Sequence, residues 1–149
     1  MERLRQLTFS LQPDEGWPPV AAECLPIREH AEGISLAAPP LFISGLAVGD
    51  VFSVTDEVND QVTQWSVLSQ SGHSTIWVMG FGDFDIGGLL AAARGIGCDT
   101  ASFSSSALGA IDVPPHVSAA AIDALLSQHS DEEIAVAYPA WRHGERAPN

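Results

Sequence analysis

His73 lies in the run Ser71-Gly72-His73-Ser74-Thr75, and a histidine is the side chain whose ordinary pKa lets it move a proton near neutral pH. General-base work needs a substrate proton within reach and usually an orienting partner. Only Asp50, Asp83 or Asp112 could be brought to His73 by folding. No G-x-S-x-G elbow supplies a nucleophilic serine, so His73 is expected to be a hydrogen-bonded turn or interdomain residue, with ligand binding as the alternative.

The other chemical candidates are weaker. Asp83-Phe84-Asp85 offers two carboxylates to a divalent cation, but a calcium loop opened by Asp83 needs a bidentate Glu at its last position, where Arg94 stands. Carboxylates at a helix N-terminus explain the pair without metal. Gly80, Gly82, Gly87 and Gly88 fail the G-x-G-x-x-G phosphate pattern, because Asp85 occupies the third glycine's place. His30, His116, His129 and His143 lack zinc spacing. Cys24 and Cys98 form no C-x-x-C pair and read as two buried thiols. Trp17, Trp65, Trp77 and Trp141 read as core or interdomain packing rather than as a base-stacking platform. No cofactor and no metal are expected.

Charge is the other chemical resource. The chain has 149 residues, 19 Asp and Glu against 6 Lys and Arg, and a formal net charge of −13, with no lysine. Between Glu29 and Trp141 fourteen acids face one base, Arg94, so this stretch carries the whole excess. Neutralising phosphates takes Lys and Arg, which excludes nucleic acid and anionic membranes as bulk electrostatic partners. A hydrophobic content of 46% excludes a disordered acidic tail. Two acidic groups, Asp56-Glu57-Asp60 and Asp131-Glu132-Glu133, are candidate partner-binding residues that would steer association with a basic protein.

These residues need elements to hold them. The first half reads as short strands between Pro and Gly breakers: Leu4 to Leu11, Ala22 to Arg28, Gly33 to Ala37, Asp50 to Thr55 and Thr63 to Ser69, with Asp56 to Asp60 as a breaker. In the second half, Thr75 to Gly80 reads as a strand. Ile86, Leu89, Leu90 and Ala93 then make a helical face capped by Asp83 or Asp85 and ended by Gly95 or Gly97. Thr100 to Ser105 and Leu108 to Val113 suggest a hairpin turning near Ser106. A second helix starts near Ser118, and Ile134, Val136 and Tyr138 alternate in a last strand. The expected fold is α+β, an N-terminal small antiparallel β-sheet or barrel followed by a ferredoxin-like βαββαβ half. The expected division is residues 1–72, 73–143 and a C-terminal tail 144–149. The N-terminus has no apolar signal region and no run long enough to span a bilayer, so the expected compartment is the cytoplasm.

Trp17-Pro18-Pro19 with Glu23, Pro39-Pro40-Leu41-Phe42 leading to Gly45-Leu46-Ala47-Val48-Gly49-Asp50, then Ser71 to Thr75, Gly97-Cys98 and Asp112-Val113-Pro114-Pro115 form an ordered series over roughly residues 5 to 143. The series resembles a bacterial family catalogued only as a domain of unknown function. Members of that family usually carry arginine where this chain has Trp77, and a glutamate a few residues after the glycine-cysteine pair, where this chain runs from Asp99 to Phe103. The resemblance brings no activity. The reading that remains is an acidic, non-enzymatic binding protein, an immunity or antitoxin-type inhibitor covering the basic active site of a bacterial toxin or secreted effector. The alternative is a small enzyme or ligand sensor with His73 in a cleft between the halves.

Overall fold

The computed structural model describes residues 4–103 and 107–144. Five strands come first: β1 (Arg5–Ser10), β2 (Ala22–Glu29), β3 (Ile34–Leu36), β4 (Val51–Val58) and β5 (Gln61–Ser69). Each pairs antiparallel with the next. In a meander of five strands the first and last run in the same direction. Closure must therefore be parallel, and Phe9 of β1 meets Val62 of β5 in that sense to complete a closed barrel. Period-two alternation sends Leu25 and Ile27 of β2 inward, where they pack with Phe9, Leu36, Leu46 and Phe52. Trp65 closes edge-on against Phe9, with ring centroids 5.6 Å apart.

The remaining elements are β6 (Ser74–Gly80), α1 (Gly87–Gly95), β7 (Asp99–Phe103), β8 (Leu108–Val113), α2 (Ala119–Leu126) and β9 (Ile134–Ala140). The sheet order is β7-β8-β6-β9, and every neighbouring pair is antiparallel. Both helices supply one core: Ile86, Leu89, Leu90 and Ala93 from around α1, and Ile122 and Leu125 from α2, meet Ile76, Val78, Ile111 and Val113. This core is a separate cluster from the barrel's. The protein is mostly β, with a barrel and a second sheet carrying two helices.

Several expectations are corrected. The acids Asp56 and Glu57 do not break the chain but lie within β4, which runs on to Val58. The turn is Asn59-Asp60, both at positive φ (53° and 65°), the backbone of a tight hairpin whose twist matches its strands. Neither Asp83 nor Asp85 is the N-cap of α1; that position is Ile86, without a side-chain cap. Asp85 still serves the helix start by accepting the Gly87 N–H at 2.8 Å. Ser118 does cap α2, accepting the Ala121 N–H. Cys24 is exposed, and only Cys98 is buried. The turn near Ser106 lies outside the described residues, although Phe103 and Leu108 pair on either side of it.

Candidate functional site

The sequence motifs that lie far apart along the chain meet at the seam between the two halves. The run Gly45 to Asp50 delivers the chain into β4, and Gly49 sits at φ +85°, where an added Cβ would come 2.9 Å from the Ser71 Cβ. Only glycine allows that approach. Behind it Asp50 is fully buried. One carboxylate oxygen accepts the Ala47 N–H at 3.0 Å and the other accepts the Ser71 N–H at 3.0 Å. Arg142 then engages both oxygens, at 3.0 and 2.9 Å, and its Nη1 also donates to the His73 carbonyl at 3.1 Å. Two parallel guanidinium bonds give the charge compensation a fully desolvated carboxylate requires.

His73 faces the next member of the series. Its Nδ1 lies 2.8 Å from Asp112 Oδ1, with the imidazole side chain 25% exposed and the carboxylate 6%. Since an ionised carboxylate only accepts, Nδ1 donates, and the neutral ring presents its lone pair at Nε2. Asp112 was one of the three acids the sequence allowed as a partner. Burial raises the Asp112 pKa from its ordinary value, against the lowering effect of His73. Ser74 and His143 form a second link: Ser74 Oγ is 2.6 Å from His143 Nδ1 and accepts the Arg142 N–H, while His143 Nε2 is 2.8 Å from the Pro114 carbonyl. Because that carbonyl can only accept, Nε2 carries the proton and Nδ1 accepts from the serine.

A third contact joins the halves through Glu23. It lies on the inward face of β2, buried, and accepts the N–H groups of Leu41 and Phe42 at 2.7 and 3.0 Å. Desolvation raises its pKa, opposed by those two bonds. The loop so fixed presents the Pro40 carbonyl to the Trp77 indole N–H at 2.8 Å, and Phe42 stacks edge-on with Trp17 and Phe103.

The seam can orient a histidine and hold a proton, and its one buried thiol is no nucleophile. Burial first, and the Asp112 charge second, push Cys98 up to about 11, so it stays a thiol at neutral pH. No group of three or more His, Cys, Asp and Glu placed to hold a metal ion occurs among the described residues.

The predicted acidic residues are elsewhere. Asp56, Glu57 and Asp60 are exposed on the β4–β5 hairpin, with Asp56 accepting the Thr63 hydroxyl. Asp131 and Glu132 are exposed in the turn before β9, whereas Glu133 folds back on the Ser130 N–H. The structure therefore brings His73 to Asp112 and places the two acidic groups on different halves. Glu23, Asp50 and Ser74 lie inside the motif series, and Asp50 was one of the acids open to His73 but pairs with Arg142 instead; Arg142 itself carries no local signature.

The family model for a domain of unknown function (DUF4265) matches residues 24–137. The chain belongs to this family. The DUF4265 match spans the barrel strands from β2 onward and most of the second sheet. A solved structure described as a novel crystal structure of a hypothetical protein from Neisseria gonorrhoeae shares the fold. Its TM-score is 0.71 at 17% identity, covering 96% of this chain and 98% of that one. No curated protein matches. No helix among the described residues is long and apolar enough to cross a membrane.

Proposed function

We propose that this DUF4265 protein is an acidic, non-enzymatic binding protein of the cytoplasm, an immunity or antitoxin-type inhibitor that covers the basic active site of a bacterial toxin. The observation that carries this reading is where the charges go. Arg142 is committed to a buried carboxylate, the chain has no lysine, and the hairpin acids with Asp131 and Glu132 stand in solvent. Such a surface accelerates encounter with a cationic protein, and its carboxylates stand in for phosphates in a nuclease-type site. Co-purification from the native host with mass spectrometry tests it: a stoichiometric basic partner supports the reading, and no stoichiometric partner overturns it.

A second reading, a small enzyme or ligand sensor, is favoured by one observation, the Asp112 carboxylate behind His73 Nδ1. That arrangement orients the ring and holds the tautomer in which Nε2 can accept a proton. It predicts a turnover lost in His73→Ala at nearly unchanged melting temperature.

We also infer that residues 73–143 form a ferredoxin-like unit. The element order, the sheet order β7-β8-β6-β9 and the shared helix core support it.

A further inference from the structure

β9 is an edge strand, bonded to β6 on one side. Near its end the Pro139 carbonyl accepts the Gly45 N–H and the Ser44 hydroxyl, at 3.0 and 3.3 Å, so the first half is bonded to that tip. Two clefts flank the rest, one on each face of the sheet. On the helix face a groove of about 690 Å³ runs between α2 and β9, with Phe81, Leu126, Val136 and Tyr138 in its walls and the carboxylates of Asp123 and Asp131 at its edge. Phe81 is 44% exposed. On the opposite face a cleft of about 250 Å³ is bounded by Trp17, Trp77, Met79 and Ala137. Ala135 and Val136 border both.

Successive side chains of a strand point to opposite faces. A strand laid along an edge with a cleft on either face would therefore fill both at once, with alternate residues in each. An exposed edge flanked in this way is the geometry of strand addition, in which main-chain bonds give affinity and flanking pockets give specificity. The helix-face groove is lined by the exposed Asp131 together with Asp123 and His129, and by no lysine or arginine, so Asp131 favours positive side chains there. The opposite cleft presents two tryptophans, a methionine and alanines, so it selects apolar ones.

We propose that an extended segment of the partner, alternating basic and apolar residues, adds to the outer edge of β9 as a further strand of the second sheet. This rests on the acidic-binding reading and names its surface. The acids at Asp131 then act beside the groove, and the β4–β5 hairpin takes no part in this contact.

The test uses the full chain and two short peptides of equal arginine and valine content, one strictly alternating and one with the residues in two blocks. The alternating peptide is expected to slow amide exchange along β9 around Ala135–Ala137 and to shift tryptophan emission. It should bind about tenfold more tightly than the block peptide. D131K or Phe81→Ala should weaken it by about tenfold, while the triple reversal D56K/E57K/D60K leaves it unchanged. Equal binding of the two peptides, protection mapped away from β9, or no saturable binding overturns the strand-addition proposal and leaves the broader reading standing. A host partner whose association ignores all charge reversals overturns the broader reading, whatever the peptides do.

Discussion

Arg142 grips Asp50 with both arms of its guanidinium, at 3.0 and 2.9 Å, joining the start of β4 to the segment just beyond β9. The carboxylate is wholly buried, and the arginine side chain is 12% exposed. Removing one partner leaves a buried charge uncompensated. Arg142→Ala is therefore expected to cost about 3–5 kcal/mol, read as a lower urea midpoint at unchanged slope. Arg142→Lys should recover only part of the loss, because an ammonium cannot reproduce the fork. A near-neutral Arg142→Ala would mean that this pair does not hold the halves together.

His73→Ala should also unfold more easily, by about 1–3 kcal/mol, since it strips the hydrogen bond from the buried Asp112 carboxylate. Thermal melts of the variant decide between the two roles of the residue. A melting temperature equal to the parent's, together with loss of a measurable turnover, would return His73 to the enzyme reading.

Glu23 gives a pH dependence. Its folded pKa is raised above 4.5 by burial, so the folded state holds the proton more tightly than the unfolded chain does. Its contribution is fully present below the unfolded value and is lost as pH rises through the folded one. Stability measured upward from pH 4.5 should therefore fall across that window in the parent relative to Glu23→Gln. The glutamine, which offers one acceptor oxygen to the two N–H groups of Leu41 and Phe42, should be less stable by about 1–3 kcal/mol at neutral pH. A parallel pH profile for the two proteins contradicts the assignment.

The strands and helices were legible because breakers and periodicity agree: Ser118 opens α2, Gly97 at positive φ follows α1, and the alternation at Ile134, Val136 and Tyr138 is β9. The β4–β5 turn was not, because Asp56, Glu57 and Asp60 look like a solvated loop, while pairing of Asp56 with Gln64 and of Glu57 with Val62 overrides the poor strand preference of those two acids. Of the seam, the serine-glycine-histidine run stood out locally, and Asp112 was one of three admissible partners. The Asp50–Arg142 and Ser74–His143 bonds join residues separated by most of the second half, and no local spacing encodes that. Glu23 was invisible as a core residue because its burial is compensated by backbone donors from a loop far along the chain.

The same turn yields a stabilising substitution. Asp60 holds φ 65° with a side chain that disfavours it, so Asp60→Gly should raise stability by about 1 kcal/mol. Denaturant melts check this, and a loss of stability would mean the aspartate makes a compensating contact.

On the proposed function, exposed carboxylates drive association with a basic protein. Stopped-flow association of the host partner with the parent and with charge-reversed variants, across a salt series, tests it most directly. Reversing Asp131, Glu132 and Glu133, or Asp56, Glu57 and Asp60, is expected to slow association and flatten its salt dependence. Rates and salt slopes identical to the parent's in both variants would contradict it.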